Sequence, residues 1–311
     1  MLDPQAAALL KLLQDNRVPP VNLQTPAQAR EAYLARRTYS QPDPPEVGEV
    51  LDHEVQANGA RFKVRSYQPP GRSAALLPAL VYYHGGGWTI GDLDTHDVLC
   101  RSLCLQSGLV VVAVDYRMGP EHKFPAAYLD SLAAYHWVQA QAQRLGVDPS
   151  RVAVGGDSAG GNLAAAVALG LRGAKQPPVF QLLIYPATNM HLVTSSHEVN
   201  GQGYLLTREA IEWFGNNYLS GPADRDDPRA SPLLAESHAQ LPAALVLTAG
   251  YDPLRDEGRQ YADALSAAGV PCQYVCFERQ IHGFITMGRI IQEANTAVSL
   301  CALALRQAMS I

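Results

Sequence analysis

Ser158 sits in Gly156-Asp157-Ser158-Ala159-Gly160, directly after the apolar run Arg151-Val152-Ala153-Val154-Gly155 and directly before Asn162-Leu163-Ala164-Ala165-Ala166-Val167. The serine therefore falls at a strand-to-helix junction. A turn this sharp requires residues without bulk on both sides, and it lifts the hydroxyl above the sheet at the positive end of the following helix. A serine so placed is a nucleophile.

The motif alone is weak, because with Gly near ~7% of residues it arises by chance in roughly one chain in ten of this length. A second segment strengthens it: His84-Gly85-Gly86-Gly87-Trp88 follows another apolar run, Leu80-Val81-Tyr82-Tyr83. Adjacent glycines leave backbone N–H groups bare and close to a ligand, as a developing oxyanion requires. The N–H groups of Gly85, Gly86 and Ala159 are the expected donors.

On a parallel sheet carrying such a serine, the acid and then the histidine follow later in the chain, each on a loop at the carboxyl end of a strand. Asp252 follows the apolar run 245–249 in Ala249-Gly250-Tyr251-Asp252-Pro253-Leu254, and His282 follows 274–277 in Gln280-Ile281-His282-Gly283-Phe284. Asp256 and Glu257 are rival acids, but both fall inside the next helix. His84 is the rival base, and its position suits a brace for the glycine loop better. In this reading His282 takes the Ser158 proton and returns it to the leaving group, while Asp252 fixes the imidazole tautomer.

The elements that must hold these residues form a regular series. Strand-like runs occupy 51–55, 61–67, 79–83, 109–115, 151–155, 180–185, 244–249 and 272–277, and Asn58-Gly59 is a hairpin signal between the first two. From the third onward the runs are almost continuously apolar, as buried parallel strands are. Helical segments at 125–145, 158–172, 254–267 and 287–309 separate most of them. This predicts a mostly parallel sheet with an antiparallel start.

Residues 1–45, with one or two amphipathic helices, and 187–230, with a helix near 207–219, stand outside the alternation and are expected to form a small helical cap. The core is then 46–186 and 231–311. Leu205, Leu206, Trp213 and Phe214 cluster in the second cap segment and are expected to wall an acyl pocket, with Trp88 and Phe284 as the alternative wall from the core loops.

Composition narrows the classes. The chain has 311 residues, 47% hydrophobic and 17% charged, enough for one large domain with an appendage. A net charge of −5 and no basic cluster beyond Arg36-Arg37 speak against nucleic acid. The start, Met1-Leu2-Asp3-Pro4-Gln5, lacks the cations of a signal peptide, and no apolar run reaches the ~18 residues of a membrane span, so a cytoplasmic protein without stable membrane insertion is expected. Five cysteines in no C-x-x-C pattern are expected to be buried free thiols. Neither a metal-ligand pattern nor a phosphate loop occurs, so no cofactor and no metal are expected. Glu121-His122 has no nucleophile beside it and reads as a salt-linked structural loop.

Taken together, these motifs resemble the bacterial hormone-sensitive-lipase-like esterases of the α/β-hydrolase superfamily. The resemblance is carried by His84 to Trp88, Asp115-Tyr116-Arg117, Pro120 to Ala126, Gly156 to Asn162, Asp252 to Glu257 and His282-Gly283-Phe284. It implies an α/β-hydrolase fold: an eight-stranded, mostly parallel sheet flanked by helices, with a small helical cap. It also implies carboxylic ester hydrolysis with Ser158, Asp252 and His282 as the triad. Met118-Gly119 departs from the family's usual Leu-Ala in a structural turn.

The expected activity is that of a carboxylesterase on short to medium acyl esters through an acyl-enzyme, without cofactor. A deacetylase or a lactonase would use the same triad. A non-catalytic receptor on this fold is disfavoured because His282 is intact. The partner expected is a small-molecule ester, and the strand from Cys272 to Phe277, at a sheet edge, offers a route to a homodimer.

Overall fold

Alternate side chains of the central strands enter two different cores. On β3 (Leu77–Tyr83), Ala79, Val81 and Tyr83 face one layer while Leu80 and Tyr82 face the other; on β4 (Val110–Asp115), Val110, Val112 and Val114 part in the same way from Val111 and Ala113. A strand apolar on both sides must be covered on both sides, which forces a three-layer arrangement.

The computed structural model, which describes residues 1–57, 59–71 and 75–310, has that arrangement. The other strands are β1 (Glu49–Ala57), β2 (Ala60–Gln68), β5 (Val147–Asp157), β6 (Phe180–Ile184), β7 (Ala243–Tyr251) and β8 (Cys272–Ile281). They form one eight-stranded sheet in the order β1-β2-β4-β3-β5-β6-β7-β8. The β1–β2 and β2–β4 pairs are antiparallel and all others parallel. This is the eight-stranded, mostly parallel sheet that the resemblance implies, with β1 and β8 at its edges.

Ten α-helices accompany it: α1 (Pro4–Asp15), α2 (Pro26–Ser40), α3 (Asp97–Ser107), α4 (Ala126–Ala140), α5 (Ala142–Leu145), α6 (Ala159–Gly170), α7 (Ser195–Val199), α8 (Arg208–Tyr218), α9 (Arg255–Ala267) and α10 (Gln292–Ala308), counted among the described residues. Residues of α4, α6 and α9 join the first core, and residues of α3 and α10 the second. Helix α6 is buried from Ala159 to Ala168, which explains its run of alanines: only small side chains let a helix lie this close to the sheet. Helix α2 opens on a capping box between Thr25 and Gln28 behind Pro26, and Thr207 caps α8 through the Ala210 N–H.

Several boundaries differ from expectation. The segment read as one helix over 125–145 is divided at Gln141, and α5 ends on left-handed Gly146. The last helix begins at Gln292 rather than Met287. Phe284–Thr286 is a 3₁₀ turn, and the place a Gly288 Cβ would take is occupied by the Asn295 side chain, so a compact non-helical bend holds there. Strands β5 and β8 run further than expected and end directly before Ser158 and His282. The Asn58 half of the hairpin signal lies outside the described residues, while Gly59 has φ +74° between the paired β1 and β2. All five cysteines are free; Cys100, Cys104 and Cys301 are buried as expected, whereas Cys272 and Cys276 are only partly covered because β8 is an edge strand. Among the described residues no helix is long and apolar enough to cross a membrane.

Leu182 is fully buried at the centre of the sheet on β6. Leu182→Ala is expected to cost about 2–5 kcal/mol, because the surrounding layer cannot collapse into the space left. Urea unfolding followed by circular dichroism should show the lower midpoint.

Candidate active site

Ser158 has φ +56° and ψ −119°, a conformation in which an L-residue is strained. Its neighbours make that conformation attainable. A Cβ on Gly156 would run into the Tyr83 carbonyl and the Gly160 backbone, and one on Gly160 would run into the Tyr83 and His84 carbonyls. The chain passes so close to β3 that only glycines fit, and the serine N–H donates to the Ile184 carbonyl at 2.8 Å. Asn162, one turn into α6, ties the elbow down by donating to the carbonyls of Ala187 (2.8 Å) and Ala230 (2.7 Å).

Three side chains from three strand ends meet here. His282 Nε2 lies 2.9 Å from Ser158 Oγ, and His282 Nδ1 lies 2.7 Å from Asp252 Oδ2. The other Asp252 oxygen accepts the Leu254 N–H at 2.8 Å, and the residue is fully buried. The imidazole packs against the Tyr185 ring, centroids 4.6 Å apart, and Tyr185 in turn against Phe284 at 6.1 Å. The rival residues are elsewhere engaged. Asp256 accepts from the Ser196 N–H at 2.9 Å and pairs with Arg255. Glu257, its carboxyl raised by burial, takes the Thr188 N–H at 2.6 Å and faces His197 at 3.2 Å. His84 is turned to the Gly85 carbonyl at 2.8 Å and stacks on Tyr116, and burial lowers it to about 4. The Glu121 loop is salt-linked, as expected, through Arg30 at 2.7 Å.

The glycine loop corrects one expectation. Gly85 N–H donates to Asp157 Oδ1 at 2.9 Å and is therefore engaged inside the protein rather than free for an oxyanion. Gly86 and Gly87, with φ +121° and +56°, instead line the cavity together with Ser158 and Ala159. Ala159 opens α6, where the first N–H groups have no intrahelical partner.

That cavity measures about 1040 Å³ and is walled by Gly86, Gly87, Trp88, Ser158, Ala159 and His282 on the sheet side, and by residues of α1, α2, the 203–207 stretch and α8 opposite. Of the residues expected to wall it, Trp88, Leu205, Leu206 and Phe214 do so. Trp213 and Phe284 do not. Trp213 turns toward the small cluster of Ala29, Ile90, Ala210 and Phe214, because adjacent helical positions point about 100° apart. Phe284 is fully buried beneath the site, in ring contact with Tyr185 and Phe277.

Four side chains make contacts that were invisible in the sequence. The Phe214 ring fills the space a Gly87 Cβ would take, and Tyr218 stacks on Trp88 at 4.3 Å and 6°, so α8 rests on the glycine loop. Arg30 of α2 reaches the Thr89 and Gly119 carbonyls, each at 2.8 Å. Asn200 holds the Gly250 and Asp252 carbonyls, each at 3.2 Å. Only Asn162, beside the serine motif, carried a local signal.

A model of the alpha/beta hydrolase fold family matches residues 80–286. The chain belongs to the alpha/beta-hydrolase family. It is 44% identical to the carboxylic ester hydrolase LipN of Mycobacterium tuberculosis over 83% of this chain and 70% of that protein. To the ethyl acetate hydrolase of Pseudomonas putida it is 39% identical over 98% and 99% of the two chains. An ester-hydrolase from the metagenome of Lake Arreo, solved with a derivative of bipyridine phosphonate, superposes with a TM-score of 0.96 at 41% identity, covering 100% of both chains.

The geometry separates the candidate acids. Asp252→Asn is expected to abolish nearly all turnover by leaving the imidazole in the wrong tautomer, whereas Asp256→Asn keeps turnover of the same order. Steady-state kinetics on one activated ester, with folding checked by circular dichroism, decides between them.

Proposed function

We propose that this α/β-hydrolase is a carboxylesterase that hydrolyses short to medium acyl esters through Ser158, His282 and Asp252 and an acyl-enzyme intermediate. The observation that carries the reading is the unbroken line Asp252–His282–Ser158, with contacts of 2.7 and 2.9 Å, ending on a strained serine that lines the cavity. His282 Nε2 takes the hydroxyl proton as Oγ attacks the ester carbonyl and returns it to the leaving alcohol. Asp252 holds Nδ1 and stabilises the positive ring that forms between those steps. The N–H groups of Gly86, Gly87 and Ala159 hold the tetrahedral oxyanion, each such donor being worth ~10²–10³ in rate. A water then repeats the sequence on the acyl-enzyme.

Residues 46–186 and 231–311 act as the catalytic core in this reading, with 1–45 and 187–230 as the cap over the cavity. The names of the carboxylic ester hydrolase and ethyl acetate hydrolase relatives support ester chemistry, and the apolar side chains at Leu205, Leu206 and Phe214 support an acyl wall. A cytoplasmic enzyme is part of the same reading. A homodimer through β8 is consistent with the edge position of that strand, and sedimentation at micromolar concentration tests it.

Ser158→Ala and His282→Ala should each lower kcat by roughly 10⁴–10⁶, and the double variant should be no worse than Ser158→Ala alone.

Each added acyl CH₂ should gain at most ~0.8 kcal/mol until the pocket fills, after which longer chains lose rate. Phe214→Ala should move that optimum to longer chains in a rate profile over graded esters. An optimum that stays in place would remove Phe214 from the acyl wall.

A further inference from the structure

Asp157, the residue before the serine, is buried, yet its carboxyl is held below the usual carboxylate range. Burial pushes it up, and His96 beside it together with hydrogen bonds from His96, Tyr82 and the Gly85 N–H outweighs burial. The Tyr82 hydroxyl donates to Oδ1 at 2.8 Å and Gly85 N–H to the same oxygen at 2.9 Å. His96 Nε2 bridges both oxygens, 3.2 Å from Oδ1 and 3.4 Å from Oδ2. His96 itself is 1% exposed, and its Nδ1 is fixed by Thr95 Oγ1 at 3.0 Å.

This carboxylate directly links the serine elbow to the first residue of the glycine loop. Its position is tightly set, because the space a Gly85 Cβ would occupy is filled by Asp157 Oδ2 and, at 2.9 Å, by the Asp157 carbonyl. The rotamer that brings Oδ1 to the Gly85 N–H is the one in which His96 Nε2 reaches both carboxylate oxygens. Without His96, a buried charge loses a donor and turns to recover one, and Gly85 loses its fixed partner. The next two residues are Gly86 and Gly87.

We propose that His96 is a positioning residue for the oxyanion site: through Asp157 it sets where the Gly86 and Gly87 N–H groups stand relative to Ser158 Oγ, without touching substrate. The inference rests on the serine-esterase reading above. A misplacement of such donors weakens binding of the tetrahedral oxyanion and leaves ground-state binding in the cavity unchanged.

The test compares His96→Leu, His96→Gln and Tyr82→Phe with the parent, each checked for folding by circular dichroism and assayed well below its melting temperature. Three quantities are read: kcat/KM for one activated ester, the inhibition constant of an alkyl trifluoromethyl ketone that adds to Ser158 as an oxyanion, and the inhibition constant of the neutral product alcohol. His96→Leu should lose up to roughly 10²-fold in kcat/KM, as for a misplacement of about an ångström, and the ketone should weaken by the same factor while the alcohol is unaffected.

His96→Gln, whose amide can donate to Asp157, should recover most of both losses. Tyr82→Phe, which removes a donor from the same oxygen, should shift both in the same direction by less. Unchanged ketone inhibition in His96→Leu, or equal weakening of ketone and alcohol, would overturn the proposal. If His96→Leu does not fold, the other two variants decide it by the same comparison. Ser158→Ala reports separately on the underlying reading, since an active Ser158→Ala protein would overturn the reaction assignment whatever His96 does.

Discussion

The left-handed backbone of Ser158 is the constraint on which the rest depends. An L-residue at φ +56° is unfavourable in isolation, by about 1–3 kcal/mol, and persists only where its surroundings over-determine it. Here the chain is pressed against β3 so closely that Gly156 and Gly160 admit no side chain, while the serine N–H is held by β6 and Asn162 anchors the first turn of α6. The reward is geometric. The hydroxyl stands clear of the sheet at the start of a helix whose first N–H groups are unpartnered, and His282 reaches it from the end of β8. Parallel order supplies the convergence, because β3, β5, β7 and β8 all deliver their loops to the same end of the sheet.

A second layer of contacts builds a cavity wall around this arrangement. Phe214 and Tyr218 rest on Gly87 and Trp88, Arg30 grips the loop that follows, and Asn200 grips the loop of Asp252. The helices outside the sheet alternation thus contribute more than a roof. They pack on the same two loops that carry the candidate oxyanion donors and the candidate acid, so the cavity wall and the geometry of the candidate site share side chains.

Much of this was legible in the chain. Runs apolar at every position, such as those of β3 and β4, need cover on both faces, and so imply a parallel sheet between helical layers before any contact is known. Ser158, Asp252 and His282 could be placed at strand ends because a strand end is a local property. The errors lie where the property was not local. Gly85 looked as available as Gly86 until the Asp157 carboxylate was found on its N–H. Trp213 and Phe214 are neighbours in sequence with the same chemistry, and only the rotational setting of α8 against the glycine loop puts Phe214 on the cavity wall and leaves Trp213 packed against Phe214 and its neighbours. Phe284 follows the histidine closely, yet packs under it because β8 continues to Ile281 and the next turn folds back into the core.

What the sequence determined by itself was therefore the chemistry and the frame: a serine at a strand-to-helix turn, a glycine loop, an acid and a histidine in an order that an α/β sheet can gather. These follow from periodicity and from turn residues, which act over a few positions. Only the tertiary structure decided which backbone N–H groups remain free, which aromatic rings wall the cavity, and that His96 and Tyr82 stand behind the residue preceding the nucleophile. Those outcomes depend on which groups compete for the same donor or the same space after distant segments have packed, and no spacing along the chain records that competition.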